Sequence, residues 1–137
     1  MKKLFVFCLL ISSFNFITAQ EAATRKDTLQ GGLRQERTCF DVLRYDLNIK
    51  VNPEEKSIVG YNRITFNVVE NTSKIQLDLF DNMQIDSIVY NKKLLKYKRE
   101  FNAVFIDFPE TLIAKTNQSL KFYYSGKPVI AKRAPWD

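Results

Sequence analysis

The stretch Asp41-Val-Leu-Arg-Tyr-Asp-Leu-Asn-Ile-Lys-Val51, then Asn52-Pro-Glu-Glu-Lys56, then Ser57-Ile-Val-Gly-Tyr-Asn-Arg-Ile-Thr-Phe-Asn-Val68 decides the fold class. Two alternating runs flank a polar, proline-bearing connection, the pattern of a long β-hairpin closed by a loop rather than a tight turn. Tyr45, Leu47, Ile49 and Val51 share one face of the first run, and Asp46, Asn48 and Lys50 share the other. In the second run Ile58, Ile64, Phe66 and Val68 fall on one side and Arg63, Thr65 and Asn67 on the other. A period of two over that length predicts strands with one face on a core and one in water.

Outward from the hairpin the same chemistry repeats. Glu70-Asn-Thr-Ser73 is a turn signal, Lys74 to Leu79 alternates with Ile75, Leu77 and Leu79 inward, and Asp81-Asn82 breaks the run. Gln84–Tyr90 is a further strand, Asn91-Lys92-Lys93 a hairpin turn, and Leu94–Arg99 the returning strand. Glu100-Phe101-Asn102 turns the chain into Ala103–Phe108, which Pro109 is expected to stop because proline cannot donate to a ladder. Thr111 to Asn117 is a connection, and Ser119–Tyr124 is the last strand before Ser125-Gly126-Lys127-Pro128. Seven or so short strands with no helical period predict an all-β domain, an antiparallel β-sandwich or open, saddle-like sheet. Gly60, alone inside a strand, marks a bulge or a bend.

The chain's 137 residues suit one domain. Residues 1–19 stand apart from it: Met1-Lys2-Lys3 is basic, Leu4 to Ile17 is mostly apolar, and small residues follow at Thr18-Ala19. This is the pattern of a signal peptide cleaved between Ala19 and Gln20. The apolar run falls short of the ~20 residues of a spanning helix and is interrupted by Ser12, Ser13 and Asn15. The expectation is therefore export to the periplasm or the extracellular space, with no membrane attachment after cleavage. Residues 20–37 are polar, carry Gly31-Gly32, and are expected to form a leader or linker that reaches the first strand, with room for a helical turn. Residues 38–137 form the β domain. About 118 residues remain after cleavage, enough to bury ~65% of the unfolded surface without metal or crosslinks. Cys39 is then the one thiol, so it has no disulfide partner and is expected to be a small buried residue.

Composition excludes several kinds of chemistry. There is no histidine, which removes imidazole-based triads and the common zinc sites, and one mature cysteine cannot build a thiolate site. The carboxylate pairs Asp78 with Asp81 and Asp107 with Glu110 are expected to be solvated surface charges, and Glu54-Glu55 is too sparse for calcium. Asn71-Thr72-Ser73 and Asn117-Gln118-Ser119 match only the short glycosylation pattern. The formal charge of +6, about +4 after loss of Lys2 and Lys3, is spread along strands and turns, apart from a small cluster at Lys127, Lys132 and Arg133. Nothing in it has the aromatic-basic interleaving of a nucleic-acid binder. No catalytic, cofactor-binding or metal-binding residue is assigned. The consecutive Phe122, Tyr123 and Tyr124 put an aromatic on each sheet face, so one face calls for cover by more protein or by a ligand such as sugar.

With these runs in order the chain resembles the opening of aminopeptidase N-like zinc metallopeptidases, peptidase family M1. The resemblance rests on the Asp41–Val51 run, the Pro53-Glu-Glu-Lys56 loop, Ile58-Val-Gly60, Ile64-Thr-Phe66 and Ile75–Leu79. It continues through Ile85-Asp-Ser-Ile88, Asn102–Phe108 and Tyr124-Ser-Gly-Lys-Pro128, and the closing Ala134-Pro-Trp-Asp137 is similar to the exported bacterial branch. It implies a non-catalytic N-terminal β domain that packs on a thermolysin-like catalytic domain and helps to close its peptide-binding cleft. It also implies a zinc held there by an HExxH helix and a later Glu, with a GxMEN stretch for the amino end of a peptide substrate. None of those motifs occurs in the chain, which is expected to be inert by itself and cut off before its next element. The alternative is a stand-alone exported β-sandwich module that binds carbohydrate or protein.

Overall fold

The alternation at 41–68 becomes a long antiparallel hairpin of β1 (Phe40–Asn52) and β2 (Ser57–Val68), in register from Phe40 opposite Val68 to Asn52 opposite Ser57. The computed structural model describes residues 22–133, so the expected signal peptide and Trp136 lie outside the described residues. Six more strands follow: β3 (Thr72–Asp78), β4 (Met83–Tyr90), β5 (Lys93–Leu94), β6 (Lys96–Glu100), β7 (Ala103–Leu112) and β8 (Asn117–Gly126). They form a five-stranded sheet in the order β1-β2-β8-β4-β5 and a three-stranded sheet in the order β3-β7-β6, with every pairing antiparallel. The expected all-β fold is observed, as two facing sheets that do not close into a barrel.

Local chemistry sets the joints. A bulge leaves Leu43 without a partner between Val42 and Arg44. It re-phases the strand, so that Phe40 and Val42 before it share a face with Tyr45, Leu47, Ile49 and Val51 after it. Asn91 and Lys92 both adopt positive φ, 48° and 63°, in a two-residue loop between the paired Tyr90 and Lys93. That is the turn whose twist matches the flanking strands. Gly60 lies opposite Ile49 with unbroken register, so it is not a bulge. A Cβ there would stand 2.1 Å from the Asn48 carbonyl oxygen, so glycine is what lets β1 and β2 approach so closely.

Two sequence expectations are corrected by the tertiary fold. Pro109 does not end its strand: β7 runs on to Leu112, and the proline sits in the irregular stretch between the pairs Lys74–Asp107 and Thr72–Leu112. No ladder hydrogen bond is asked of it there. The run 94–99 is not one strand, because β5 belongs to the large sheet and β6 to the small one. Leu95 turns this corner with its side chain buried and its N–H bonded to the Ile88 carbonyl at 2.8 Å. The polar leader, in turn, contains α1 (Arg25–Gly31) and α2 (Gln35–Thr38).

Those helices clamp the outer side of the small sheet. Thr24 and Asp27 form a capping box, and Leu29 is buried against Ala103 and Phe105. The Arg25 guanidinium donates to both Glu100 carboxylate oxygens, at 2.9 and 3.1 Å. Gln76 Nε2 and Arg37 Nη2 each donate to the Leu29 carbonyl at 3.0 Å, and Arg37 also pairs with Asp78. Between the sheets lies the main core, with Phe66, Ile75, Ile88, Val104, Ile106 and Leu120 all buried. Cys39 is fully buried at its edge, with Sγ 3.7 Å from the Lys74 carbonyl oxygen, and burial pushes its thiol pKa up.

Two outcomes follow. Phe66 meets Phe40 edge-on at 5.5 Å and also packs on Phe108. Phe66→Ala should therefore cost about 3–5 kcal/mol in a urea titration, whereas Phe80→Ala, at an exposed position, should stay within about 0.5 kcal/mol. The clamp is also pH-sensitive. The hydrogen bond from Arg25 holds the Glu100 pKa below its usual value, and hydrogen bonds from the Thr24 hydroxyl and N–H do the same for Asp27. Pairing that depresses a folded pKa contributes stability above the unfolded value and loses it as pH falls through the folded one. Amide exchange in α1 should accelerate relative to β2 below about pH 4; unchanged relative protection down to pH 3 would remove the idea.

Candidate functional site

The two sheets are unequal in size, and the inequality exposes a surface. The face of β2 that carries Phe66 and Ile64 continues through Asn62, Gly60 and Ile58 toward the hairpin loop. Opposite these on β1 stand Tyr45, Leu47, Ile49 and Val51. Up to Ile64 the small sheet covers β2 and its residues are buried; Tyr45, opposite Ile64 on the edge strand, and Leu47 and Val51 beyond it are 57%, 63% and 63% exposed. The expectation that the hairpin's apolar face lies on a core thus holds for its base and fails for its tip. Tyr45, Leu47 and Val51, with the half-buried Ile49 between them, make an apolar face of the kind that other elements cover.

Where the covered and open halves meet, a cleft of about 600 Å³ opens between the β1 and β3 sides of the sandwich. Phe40, Tyr45, Phe122 and Tyr124 form its apolar wall, and Arg37, Asn62 and Asp78 contribute polar groups. Asn62 Oδ1 is buried and has no hydrogen-bond partner among the described residues. A buried acceptor left unpaired costs about 1–3 kcal/mol, so a donor brought in by a covering segment would recover that cost. Burial also raises the pKa of Tyr124 above the usual tyrosine value.

The aromatic triplet divides as alternation requires. Phe122 is buried and Tyr124 is half-buried on the inner face, while Tyr123 points outward beside Tyr61 at 5.0 Å. The ammonium of Lys121 lies 4.7 Å from the Tyr61 ring centre, so the outer face shields its aromatics with its own side chains. Two of the carboxylates considered above have basic or amide partners. Asp78 is held by Arg37 and by Gln76 Nε2 at 3.1 Å, and Asp107 faces Lys74 at 3.1 Å. Glu55 lies 3.7 Å from Lys127, tying the hairpin loop to the segment after β8. Asn71 Oδ1 accepts from the Ala114 N–H at 2.8 Å, and Asn117 Oδ1 accepts from Asn67 at 2.9 Å.

Among the described residues no group of three or more Cys, Asp or Glu side chains is placed to hold a metal ion. Nor is any helix among them long and apolar enough to cross a membrane. What the geometry offers is an exposed apolar surface beside a cleft. The pattern of the peptidase M1 N-terminal domain matches residues 42–131, from the bulge in β1 to the segment beyond β8. The chain belongs to that family. No curated protein matches it by sequence. Among solved structures, the M1 zinc metallopeptidase from Deinococcus radiodurans superposes with a TM-score of 0.58 at 25% identity, over 66% of this chain and 21% of its own. A two-domain M1 zinc metallopeptidase bound to L-arginine gives a TM-score of 0.59 at 24% identity, over 70% of this chain and 22% of its own. Yeast LTA4 hydrolase in complex with bestatin shares the fold at a TM-score of 0.53 and 19% identity, over 66% and 16%. The chain spans about a fifth of the length of these structures.

The open strip predicts an inverted mutational response. Leu47→Ser should leave the melting temperature of the chain unchanged or slightly raised and should increase its solubility, because the side chain is 63% exposed. Ile64→Ser, on the same face but buried, should cost several kcal/mol in the same measurement. Equal losses for the two variants would show that the strip is covered in solution.

Proposed function

We propose that this chain is the non-catalytic N-terminal β domain of an exported M1 zinc metallopeptidase with aminopeptidase activity. Its open inner face would pack on further parts of the same polypeptide, the catalytic domain included, and help to close a peptide-binding cleft. The observation that carries this is the exposure of Tyr45, Leu47 and Val51 on the hairpin's inner face in a chain whose family is the M1 N-terminal domain. The match to structures described as two-domain zinc metallopeptidases supports it, as does the unpaired buried acceptor of Asn62 opposite Leu47. The described residues do not make a zinc site, so the metal would be held elsewhere in the polypeptide, and the chain itself supplies support and shape rather than chemistry. Export rests on the signal-peptide pattern of residues 1–19.

The reading frame after Asp137 and the behaviour of its product test the proposal. The expected result is a continuation into HExxH with a later Glu. Its product should release N-terminal residues from peptides, lose that activity to a zinc chelator, and lose it again when residues 38–133 are deleted. A stop codon after Asp137, with a purified chain that binds oligosaccharides or a protein ligand, would instead establish a stand-alone module.

A further inference from the structure

β1 is the edge of the five-stranded sheet, and from Arg44 to Asn52 its only partner among the described residues is β2. Natural sheets blunt such edges with prolines, bulges, short strands or charged side chains. The bulge at Leu43 lies at the end nearer α2; beyond it the register is regular, and the charges of Arg44, Asp46 and Lys50 are of both signs, so they oppose a second copy only in the wrong register. The remaining edge is long, free of proline, apolar on its inner face and charged on its outer one. Lys50 makes no ion pair among the described residues. Arg44 reaches Asp46 only through Oδ1, which leaves Oδ2 open.

We propose that β1 pairs antiparallel with β1 of a second copy of the chain, about a two-fold axis through Asn48. In this register Leu47 faces the partner's Ile49, Tyr45 faces the partner's Val51, and Asp46 faces the partner's Lys50. Two-fold symmetry makes each of these contacts twice. The apolar side chains of both copies then form one strip on the inner face, and two Asp–Lys pairs lie on the outer face. The small sheets, which cover the opposite half of each hairpin, fall at opposite ends of the joined sheet and leave the strip between them.

The strand itself selects this register. Centring on Leu47 sets Arg44 against Lys50, and centring on Asp46 sets that carboxylate against its own copy. Centring on Ile49 leaves Asp46 and Lys50 opposite asparagines, and centring on Tyr45 pulls the unpaired Leu43 into the ladder. An offset of one residue turns the second copy's apolar strip to the other side of the sheet. Only the axis through Asn48 joins like to like on the inner face and opposite charges on the outer. The inference goes beyond the proposed function and is independent of any zinc site.

The test uses the full reading frame expressed and purified as the cell processes it, with mass measured by light scattering across a concentration series. The expected species is a dimer. Lys50→Asp sets the Asp46 carboxylate against the introduced carboxylate of the other copy, twice over, and should weaken the dimer about tenfold or more. Adding Asp46→Lys to that variant reverses both charges and should restore it. Asn48→Cys should give a symmetric disulfide, because directly opposed strand residues fall within disulfide reach. Arg44→Cys should not, and the buried Cys39 should not compete. The altered residues lie along an exposed strand, so circular dichroism melts should match the parent chain. A monomer throughout the series, or a dimer that Lys50→Asp leaves at full strength, overturns the proposal and leaves the edge to another segment.

Discussion

A three-stranded sheet cannot cover a five-stranded one, and the rest of this structure depends on that mismatch. Each strand adds about 5 Å of width, so the small sheet reaches only part of the way across its partner. Its strands lie over Ile64, Phe66, Leu120 and Phe122, and there the side chains are lost from water. Toward the loop of the first hairpin the same face, with the same kind of residues, has nothing above it among the described residues. The core and the candidate interaction surface are therefore one continuous apolar face, divided only by where the second layer stops.

The arrangement is held by features away from the open strip. The close approach of β1 to β2 at Gly60 leaves no room for a side chain and keeps the hairpin in one register. Arg99 donates to the carbonyls of Leu79, Phe80 and Met83 at 2.8, 2.5 and 2.6 Å, pinning the crossing from one sheet to the other. The clamp of α1 and α2 covers the outer side of the small sheet through Leu29, while Tyr45, Leu47 and Val51 stay exposed on the inner face of the hairpin. Rigid support beneath an uncovered strip is what a docking surface needs, since little ordering cost is left to oppose binding.

Much of this is legible in the residues. Alternation at 41–68 announces the hairpin and its two faces, and the turn chemistry at Asn91-Lys92 and Glu100-Phe101-Asn102 places later strands correctly. The departures have physical causes. Pro109 reads as a stop because period and propensity describe a single strand, whereas a proline is harmless where the partner strand is out of register. The run 94–99 looks like one strand because nothing local marks Leu95 as the point where the chain changes sheets. The clamp escapes the sequence because α1 is short and offers a single buried contact, Leu29, too little to show a helical period. Absence of histidine speaks directly to chemistry. The exposed half of the hairpin's apolar face has no signature, since an exposed leucine and a buried one are spelled alike.

By itself the sequence determined the all-β class, the register signals of the first hairpin and the exclusion of imidazole-based chemistry, because period, turn residues and composition are local properties of a chain. Tertiary structure alone decided which half of the apolar face became core and which became surface. That choice depends on how far a second sheet, built from distant residues, extends over the first. Tyr45 and Ile64 face each other across the hairpin on the same side of one sheet, and only the strands packed above them make one a surface residue and the other a core residue.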